Sequence, residues 1–480
     1  MSAKDDMRRL YLNGQWIEPL DPLPVTNPAT TEVFAHVGTV PRGRVARAIQ
    51  DAAAAWPAWR KTPGRERGRY LYTIADVLQR RSEEIARTIT LENGKPLAQS
   101  RGEVAMTVDH LRWFAGEAQR AYGRVVPPQA DGKRHLVLRT PVGVVGAIAP
   151  WNFPLVLAVR KVAAALAAGC PVVLKPASAT PLSGVMLAEA VDEVGLAPGV
   201  FQLVLGRSAE IGAEMLENPL CRKITFTGST AVGQELIRGA AACVTKLSLE
   251  LGGHAPVLVF EDADLEQAVR GTLLAKFRNT GQSCIAANRV YVQRSIADRF
   301  IPALVDAARK LKVGNGLDEG VEIGPLINEA ALRQALEHIE EAQSLGARVL
   351  CGGKRWTGGR GYFLEPTILA DVPPDARCMR EETFAPAAPV CVFDDEAEAI
   401  REANATEYGL AAYAFTRDLS RMWRLAESLE AGTIGINDTV PTTSQCPFGG
   451  LKQSGWGREL GLEGLDAFLE TKHISLGVQA

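Results

Sequence analysis

Between residues 142 and 249 the chain alternates short apolar runs with helix-length segments, and that alternation leaves few folds open. Residues 142–149, 171–175, 201–205, 223–226 and 245–249 each read as a strand buried on both faces, because their apolar runs are short and bounded by turn residues. The clearest helical pattern between them is 155–168, and Pro181 suits the opening turn of the next helix, where its missing N–H goes unused. Strands alternating with helices predict a parallel, doubly wound α/β sheet with right-handed crossovers. A second alternation follows the Gly252-Gly253 break, through 255–260, 289–292, 347–350, 390–393 and 433–437, so two α/β lobes joined near residue 252 are expected. Residues 43–120, ahead of both lobes, carry helical periodicity. Two predicted strands, 135–139 and 471–478, belong to neither lobe. A strand outside a sheet leaves its backbone groups unpaired, so a partner subunit is the expected cover.

The chain has 480 residues, enough for about three domains. Its formal net charge of -2 gives no electrostatic reason to expect nucleic acid or an anionic membrane. The most apolar region, 142–174, is interrupted by Asn152, Arg160, Lys161 and three prolines, which argues against a membrane span. Met1 to Arg9 lacks the apolar core of a secretory signal. The eight cysteines form no C-x-x-C pair and none lies at zinc-ligand spacing with a histidine, so no metal site is expected. Scattered cysteines of this kind fit a reducing cytoplasm.

Chemistry concentrates in a few places. The segment 277–284, Phe-Arg-Asn-Thr-Gly-Gln-Ser-Cys, sets Cys284 behind a polar glycine-containing turn with Arg278 six residues upstream. Exposure and nearby positive charge favour the thiolate, the nucleophilic form. Glu250 stands between Leu249 and Leu251, an apolar collar that raises a carboxyl pKa toward the range of a general base; an isolated strand-end glutamate paired with a lysine is the plainer reading. The G-x-G-x-x-G fingerprint is missing from the first strand-to-helix turn, where Pro150-Trp151-Asn152-Phe153-Pro154 stands. Further on, Gly228-Ser229 follows a strand and opens a helix, so it could receive a pyrophosphate or act only as a cap. Lys175 ends a strand where doubly wound folds bring a side chain to the adenosine ribose, and Ser178 is small and neutral. The alternative for Lys175 is a solvated strand end.

With these residues in this order, the chain resembles the aldehyde dehydrogenase superfamily over essentially its full length. The motifs are Pro150 to Pro154, Lys175-Pro176-Ala177-Ser178, Phe226 to Ser229, Leu249 to Gly253, the segment ending at Cys284, Glu381 to Pro386 and Pro447 to Lys452. The resemblance implies a Rossmann-type cofactor domain (1–122 and 143–252), an α/β catalytic domain (253–437) and a small β oligomerisation arm (123–142 and 465–480). It implies Cys284 as nucleophile, Asn152 with the Cys284 N–H as oxyanion donors, and Glu250 as the base that activates water against a thioester. NADP or NAD would be held by Trp151, Lys175, Ser178, Gly228, Ser229, Leu251, Glu382 and Phe384. A base at 250 favours hydrolysis over transfer to coenzyme A or phosphate.

Within that superfamily the segments 276–284 and 406–413 are similar to succinate-semialdehyde dehydrogenases. That likeness implies that Arg160 and Arg278 bind the substrate's distal carboxylate, with Ser444 in the loop at the substrate mouth. A guanidinium fork matches a carboxylate, sulfonate or phosphonate, so glutarate semialdehyde and short sulfonated or phosphonated aldehydes fit the same arginines. The plainer reading of Arg160 is a helix residue paired with an acidic neighbour. Ala286 replaces a second cysteine found in some relatives, which removes a regulatory disulfide. The loop 442–446 and Trp456 depart from the commonest pattern and leave chain length open. A broad-range dehydrogenase and a non-catalytic nucleotide-binding relative are the other readings, and a homodimer or homotetramer is expected, with the strand near Ile474 joining a partner's sheet.

Overall fold

The computed structural model describes residues 7–18 and 20–478; the reading of the first residues as lacking a signal lies, for Met1–Asp6, outside the described residues. Five parallel strands make the first sheet, in the order Phe201–Leu203, Val172–Lys175, Val144–Ile148, Cys221–Thr227, Lys246–Glu250. Numbered along the chain this is 3-2-1-4-5, so strand order reverses between Val144–Ile148 and Cys221–Thr227. Ligands of such sheets bind in the crevice outside the carboxyl ends of the strands at that reversal. Helix Val156–Ala168 is buried along its whole length behind the sheet, which explains why its sequence is apolar on every side.

The second sheet runs Arg348–Cys351, Thr367–Ala370, Ala387–Phe393, Ala287–Gln293, Ala255–Val259, Ala411–Phe415, Thr433–Ile436, parallel except for the first strand. The strands at 367–370 and 411–415 carry no expectation from sequence. Residues 251–254 lead from the carboxyl end of Lys246–Glu250 to the amino end of Ala255–Val259. The cleft therefore faces strand ends of opposite sense from the two sheets, and side chains of both meet in it.

The segment 43–120 forms helices Arg42–Trp59, Gly64–Arg80, Ser82–Asn93 and Leu97–Glu117. Ahead of them lie short strands that periodicity does not reveal: Met7–Arg8, Pro22–Thr26 and Val33–Gly38 in one small sheet, and a hairpin Leu10–Leu12/Gln15–Ile17. Asn13 and Gly14 turn that hairpin with φ of 50° and 76°, the backbone a two-residue hairpin turn demands.

The tail strand is paired on one side within its own chain. Leu469–Gly477 pairs antiparallel with Lys133–Pro141 of its own chain from Leu469↔Pro141 to Gly477↔Lys133, and Arg124–Val126 completes the sheet. The tail strand is the outer strand of this sheet, and its other edge has no partner among the described residues. The first sheet likewise recruits Gly455–Trp456 as an antiparallel edge beside Leu249 and Glu250.

Candidate active site

The loop that carries Cys284 is held in an unusual backbone. Asn279, Thr280 and Gly281 are all left-handed, with φ of 51°, 58° and 74°. For non-glycine residues this conformation costs about 1–2 kcal/mol each, and the surroundings offset it. Asn279 donates its side-chain amide to the carbonyls of Asn152 (2.8 Å) and Gln282 (3.0 Å), and its N–H to Gln99 Oε1 (2.7 Å). The Thr280 hydroxyl accepts from the Gly324 N–H at 3.0 Å. Gly281 is required outright, because a Cβ there would lie 2.3 Å from the Ala385 carbonyl oxygen. The loop delivers Cys284 to the cleft with a backbone N–H that donates to no protein group among the described residues.

Asn152 sits beyond the carboxyl end of the first-sheet strand Val144–Ile148, beside the strand-order reversal. Its side-chain amide donates to the Gln282 carbonyl at 3.2 Å, and its Oδ1 is buried without a partner. The oxyanion donor named from sequence and the nucleophile loop are thus joined directly. Glu250, the last residue of its strand, is 2 % exposed, and neither carboxyl oxygen has a hydrogen-bond partner. Burial pushes its carboxyl up to about 7, with Glu459 adding to the effect and the Cys284 thiol, Lys161 and Arg160 opposing it. Cys284, Arg278 and Glu382 keep some surface in the cleft, yet their polar atoms are surrounded closely enough for desolvation to dominate.

That environment changes the picture of the thiol. Sequence suggested exposure and positive charge, hence a ready thiolate. Instead burial, then the charge of Glu250 and of Glu382, push the thiol well above its ordinary range, and Arg160 offsets only part of this. The surroundings thus oppose the thiolate, and Glu250 is the carboxylate that opposes it most.

The two arginines differ. The Arg278 guanidinium makes no salt bridge or hydrogen bond with the described residues; it lies 5.2 Å from the Phe153 ring centroid, and desolvation lowers its pKa. Arg160 is 7 % exposed, stands 4.9 Å over the Phe448 ring, and has one loose carboxylate neighbour, Glu459 Oε2 at 3.8 Å, while its Nε has no partner. Glu459 is engaged more closely by Lys161, which also donates to Thr227 Oγ1 at 2.6 Å. The acidic neighbour anticipated for Arg160 exists, but it serves Lys161 first. Ser444 is buried; its hydroxyl donates to Gln445 Oε1 at 3.2 Å and no bond ties it to the other candidates. Phe448, four residues on, is the residue of that loop that reaches an arginine.

The nucleotide candidates line the other side of the same strand ends. Lys175 is 4 % exposed, which rules out a solvated strand end; its ammonium donates only to the Pro176 carbonyl (3.2 Å), and burial lowers it to about 8. Ser178 is half-buried three residues later. Ser229 caps helix Thr230–Ala240 by accepting from the Val232 N–H, directly after Gly228. Leu251 packs against Gly233 of that helix, where a Cβ would come within 2.6 Å of it. Glu382 accepts the Gly253 N–H at 3.1 Å with one oxygen, and burial raises its carboxyl to about 8. Trp151 and Phe384 meet edge to face at 5.5 Å. A buried ammonium with spare donors, a carboxylate with a spare oxygen and a capped helix start after a glycine suit the ribose hydroxyls and phosphates of a dinucleotide. No cluster of three or more His, Cys, Asp or Glu among the described residues is placed to hold a metal ion.

Lys95, Glu103 and Glu459 were not singled out from sequence, and Asn279, Lys161 and Phe448 stood there only within longer segments without a role. For Lys95 the local cue is the Glu92-Asn93-Gly94-Lys95-Pro96 turn, two charges flanking a glycine at a helix end.

The sequence profile of the aldehyde dehydrogenase family matches residues 16–474. A succinate-semialdehyde dehydrogenase of Escherichia coli, named as NADP-dependent, is 46% identical, with 98% of each chain covered. A glutarate-semialdehyde dehydrogenase of Pseudomonas aeruginosa is 46% identical, with 99% of each covered. The crystal structure of an NADP-dependent Escherichia coli enzyme superposes with a TM-score of 0.97 at 46% identity, covering 98% of both chains. With this match and this cleft, the chain belongs to the aldehyde dehydrogenase family.

Proposed function

We propose that the protein oxidises a small anionic semialdehyde, succinate semialdehyde foremost, to the carboxylic acid through a thioester on Cys284, with NADP or NAD as oxidant. The observation that carries the substrate reading is Arg278, a guanidinium surrounded by protein near Cys284 with no counterion of its own. A distal carboxylate would satisfy its fork and that of Arg160 together, and the names of the relatives agree with such a substrate.

Glu250 takes the thiol proton as Cys284 sulfur attacks the aldehyde carbon. The oxygen, now anionic, lies between the Asn152 amide and the Cys284 N–H; one such donor is worth ~10²–10³ in rate. NADP or NAD, when bound, would supply the hydride acceptor, and loss of hydride from the adduct leaves a thioester on Cys284. Glu250 releases that proton to solvent and, ionised again, removes a proton from water, which attacks the thioester carbonyl; the Cys284 thiolate leaves, takes a proton back from Glu250, and the acid is released. Trp151, Lys175, Ser178, Gly228, Ser229, Leu251, Glu382 and Phe384 hold the cofactor. Arg160, Arg278 and Ser444 line the substrate channel.

We assign the cofactor domain to 1–122 and 143–252, the catalytic domain to 253–437 and the arm to 123–142 and 465–480. Val125, Leu138 and Leu476 stand 73 %, 40 % and 43 % exposed on the arm, which supports a homodimer or homotetramer joined there. No helix of the described residues is long and apolar enough to cross a membrane, and the scattered free cysteines favour the cytoplasm.

The test is kcat/KM for succinate semialdehyde, glutarate semialdehyde, a three-carbon sulfonated aldehyde and neutral butanal, in the native protein and in Arg278→Ala. The native enzyme should prefer the anionic aldehydes, and Arg278→Ala should raise KM for them by ~10–100-fold with little change for butanal. An equal change for charged and neutral aldehydes defeats the anion reading and favours a broad-range enzyme.

A further inference from the structure

Lys95 lies in the short turn between helices Ser82–Asn93 and Leu97–Glu117. Its side chain and that of Glu103 are both completely buried and meet at 2.7 Å. The ammonium also donates to the Asn152 carbonyl at 2.6 Å and stands 3.8 Å over the Phe153 ring. The other oxygen of Glu103 accepts from the Leu155 and Val156 N–H groups at 2.9 and 3.3 Å, the opening amides of helix Val156–Ala168. One ion pair thus grips residues 152, 153, 155 and 156. Arg278 lies against the same Phe153 ring at 5.2 Å.

Two charges buried together give little net stability, since desolvation offsets their attraction, and an apolar pair could fill the same volume. What this pair supplies is placement. The Asn152 carbonyl has three donors, Lys95, Asn279 at 2.8 Å and Asn93 at 3.5 Å, and Lys95 is the nearest and the only charged one. Fixing that carbonyl fixes the peptide from which the Asn152 amide extends toward Cys284. Fixing Phe153 fixes the surface on which Arg278 rests.

We propose that Lys95 is a positioning residue that sets the oxyanion donor Asn152 and, through the Phe153 ring, seats Arg278, so that one buried ammonium aligns both ends of the substrate. The inference rests on the roles given above to Asn152 and Arg278. A displacement of about 1 Å in such a site costs ~10²-fold in rate.

The experiment compares the native protein with Lys95→Met/Glu103→Gln, which removes both charges and keeps an amide oxygen for the helix start, and with Asn152→Ala. The readouts are kcat per active site, counted by the burst of reduced cofactor, with succinate semialdehyde and with butanal, together with cofactor Kd by fluorescence and Tm. The double variant should bind cofactor normally, lose ~10–100-fold in kcat per site with butanal, and lose several-fold more in kcat/KM with succinate semialdehyde. Lys95→Gln/Glu103→Gln, which restores a neutral donor toward Asn152, should recover part of the butanal rate, and it carries the test if the methionine variant does not fold. Native kcat per site with a lowered Tm would make Lys95 purely structural and overturn the proposal. If the double variants are native-like while Asn152→Ala is crippled, the positioning role alone fails. If Asn152→Ala retains full kcat, the oxyanion reading fails first and takes the proposal with it.

Discussion

The side-chain amide of Asn279 donates to the backbone carbonyl of Asn152 at 2.8 Å, across 127 residues of sequence. The loop bearing Cys284 and the turn bearing Asn152 are fastened to each other, one from each lobe. Asn279 also holds a left-handed backbone that alanine tolerates less well. Asn279→Ala should destabilise the protein by about 2–3 kcal/mol, from two buried hydrogen bonds and the backbone term, and lower kcat by ~10-fold or more. Denaturant unfolding and steady-state rates check both.

The base role proposed for Glu250 predicts a pH dependence of definite sign. Burial holds its carboxyl at about 7, so the ionised base accumulates only above that pH. Where thioester hydrolysis limits turnover, kcat should fall about tenfold per pH unit below 7 and level off above it. The folded state binds this proton more tightly than the unfolded chain, so stability falls as pH rises from the ordinary carboxylate range through about 7. Glu250→Gln should abolish the kinetic limb, and its gain in Tm over the native protein should be larger at pH 8 than at pH 5.

Glu459 is the neighbour that helps hold Glu250 high, and it shares its other contacts with Lys161 and Arg160. Glu459→Gln removes a negative charge and leaves the two cations to act on Glu250. The acidic limb of kcat should therefore move to lower pH. A limb that stays in place or moves upward contradicts the coupling.

Lys175 has donors to spare in the cofactor cleft, and position 178 carries no charge to repel a 2′-phosphate. Lys175→Met should weaken NADP binding by ~10–100-fold, the worth of a charge-assisted contact, and NAD binding by less. Ser178→Glu should move preference toward NAD. Titrating both cofactors by fluorescence gives the ratio; a ratio unchanged in both variants refutes the assignment.

What the sequence disclosed follows from how each feature is encoded. The central strands are legible because both of their faces are buried, so each is a compact apolar run. Glu250 stood out because a charge between leucines at a strand end breaks a local pattern. The strands of residues 7–38 were not legible, being two to six residues long and paired in part with one another across turns. For Lys175 a solvated strand end stayed open as the alternative because exposure depends on what packs over a strand end. Lys95 was hidden for a different reason. Its partner Asn152 is 57 residues away, and nothing near position 95 announces that its ammonium is fully buried. The titration of Cys284 was misjudged because Arg278 is close in sequence, whereas Glu250 and Glu382 approach only through the fold.

The late-strand pairings set an order of assembly. Gly455–Trp456 closes the edge of the first sheet beside Glu250, Glu459 completes the charge group around Lys161, and Leu469–Gly477 pairs with Lys133–Pro141. During synthesis the strands from 144 to 250 emerge long before these segments exist. Until about residue 459 has been made, the first sheet stays open along one edge, and the surroundings that raise the Glu250 pKa are incomplete. A ribosome-bound chain stopped near residue 440 would hold Cys284, Glu250 and Asn152 and still lack the strand and the carboxylate at 455–459 that enclose Glu250, so the proposed activity would await that segment.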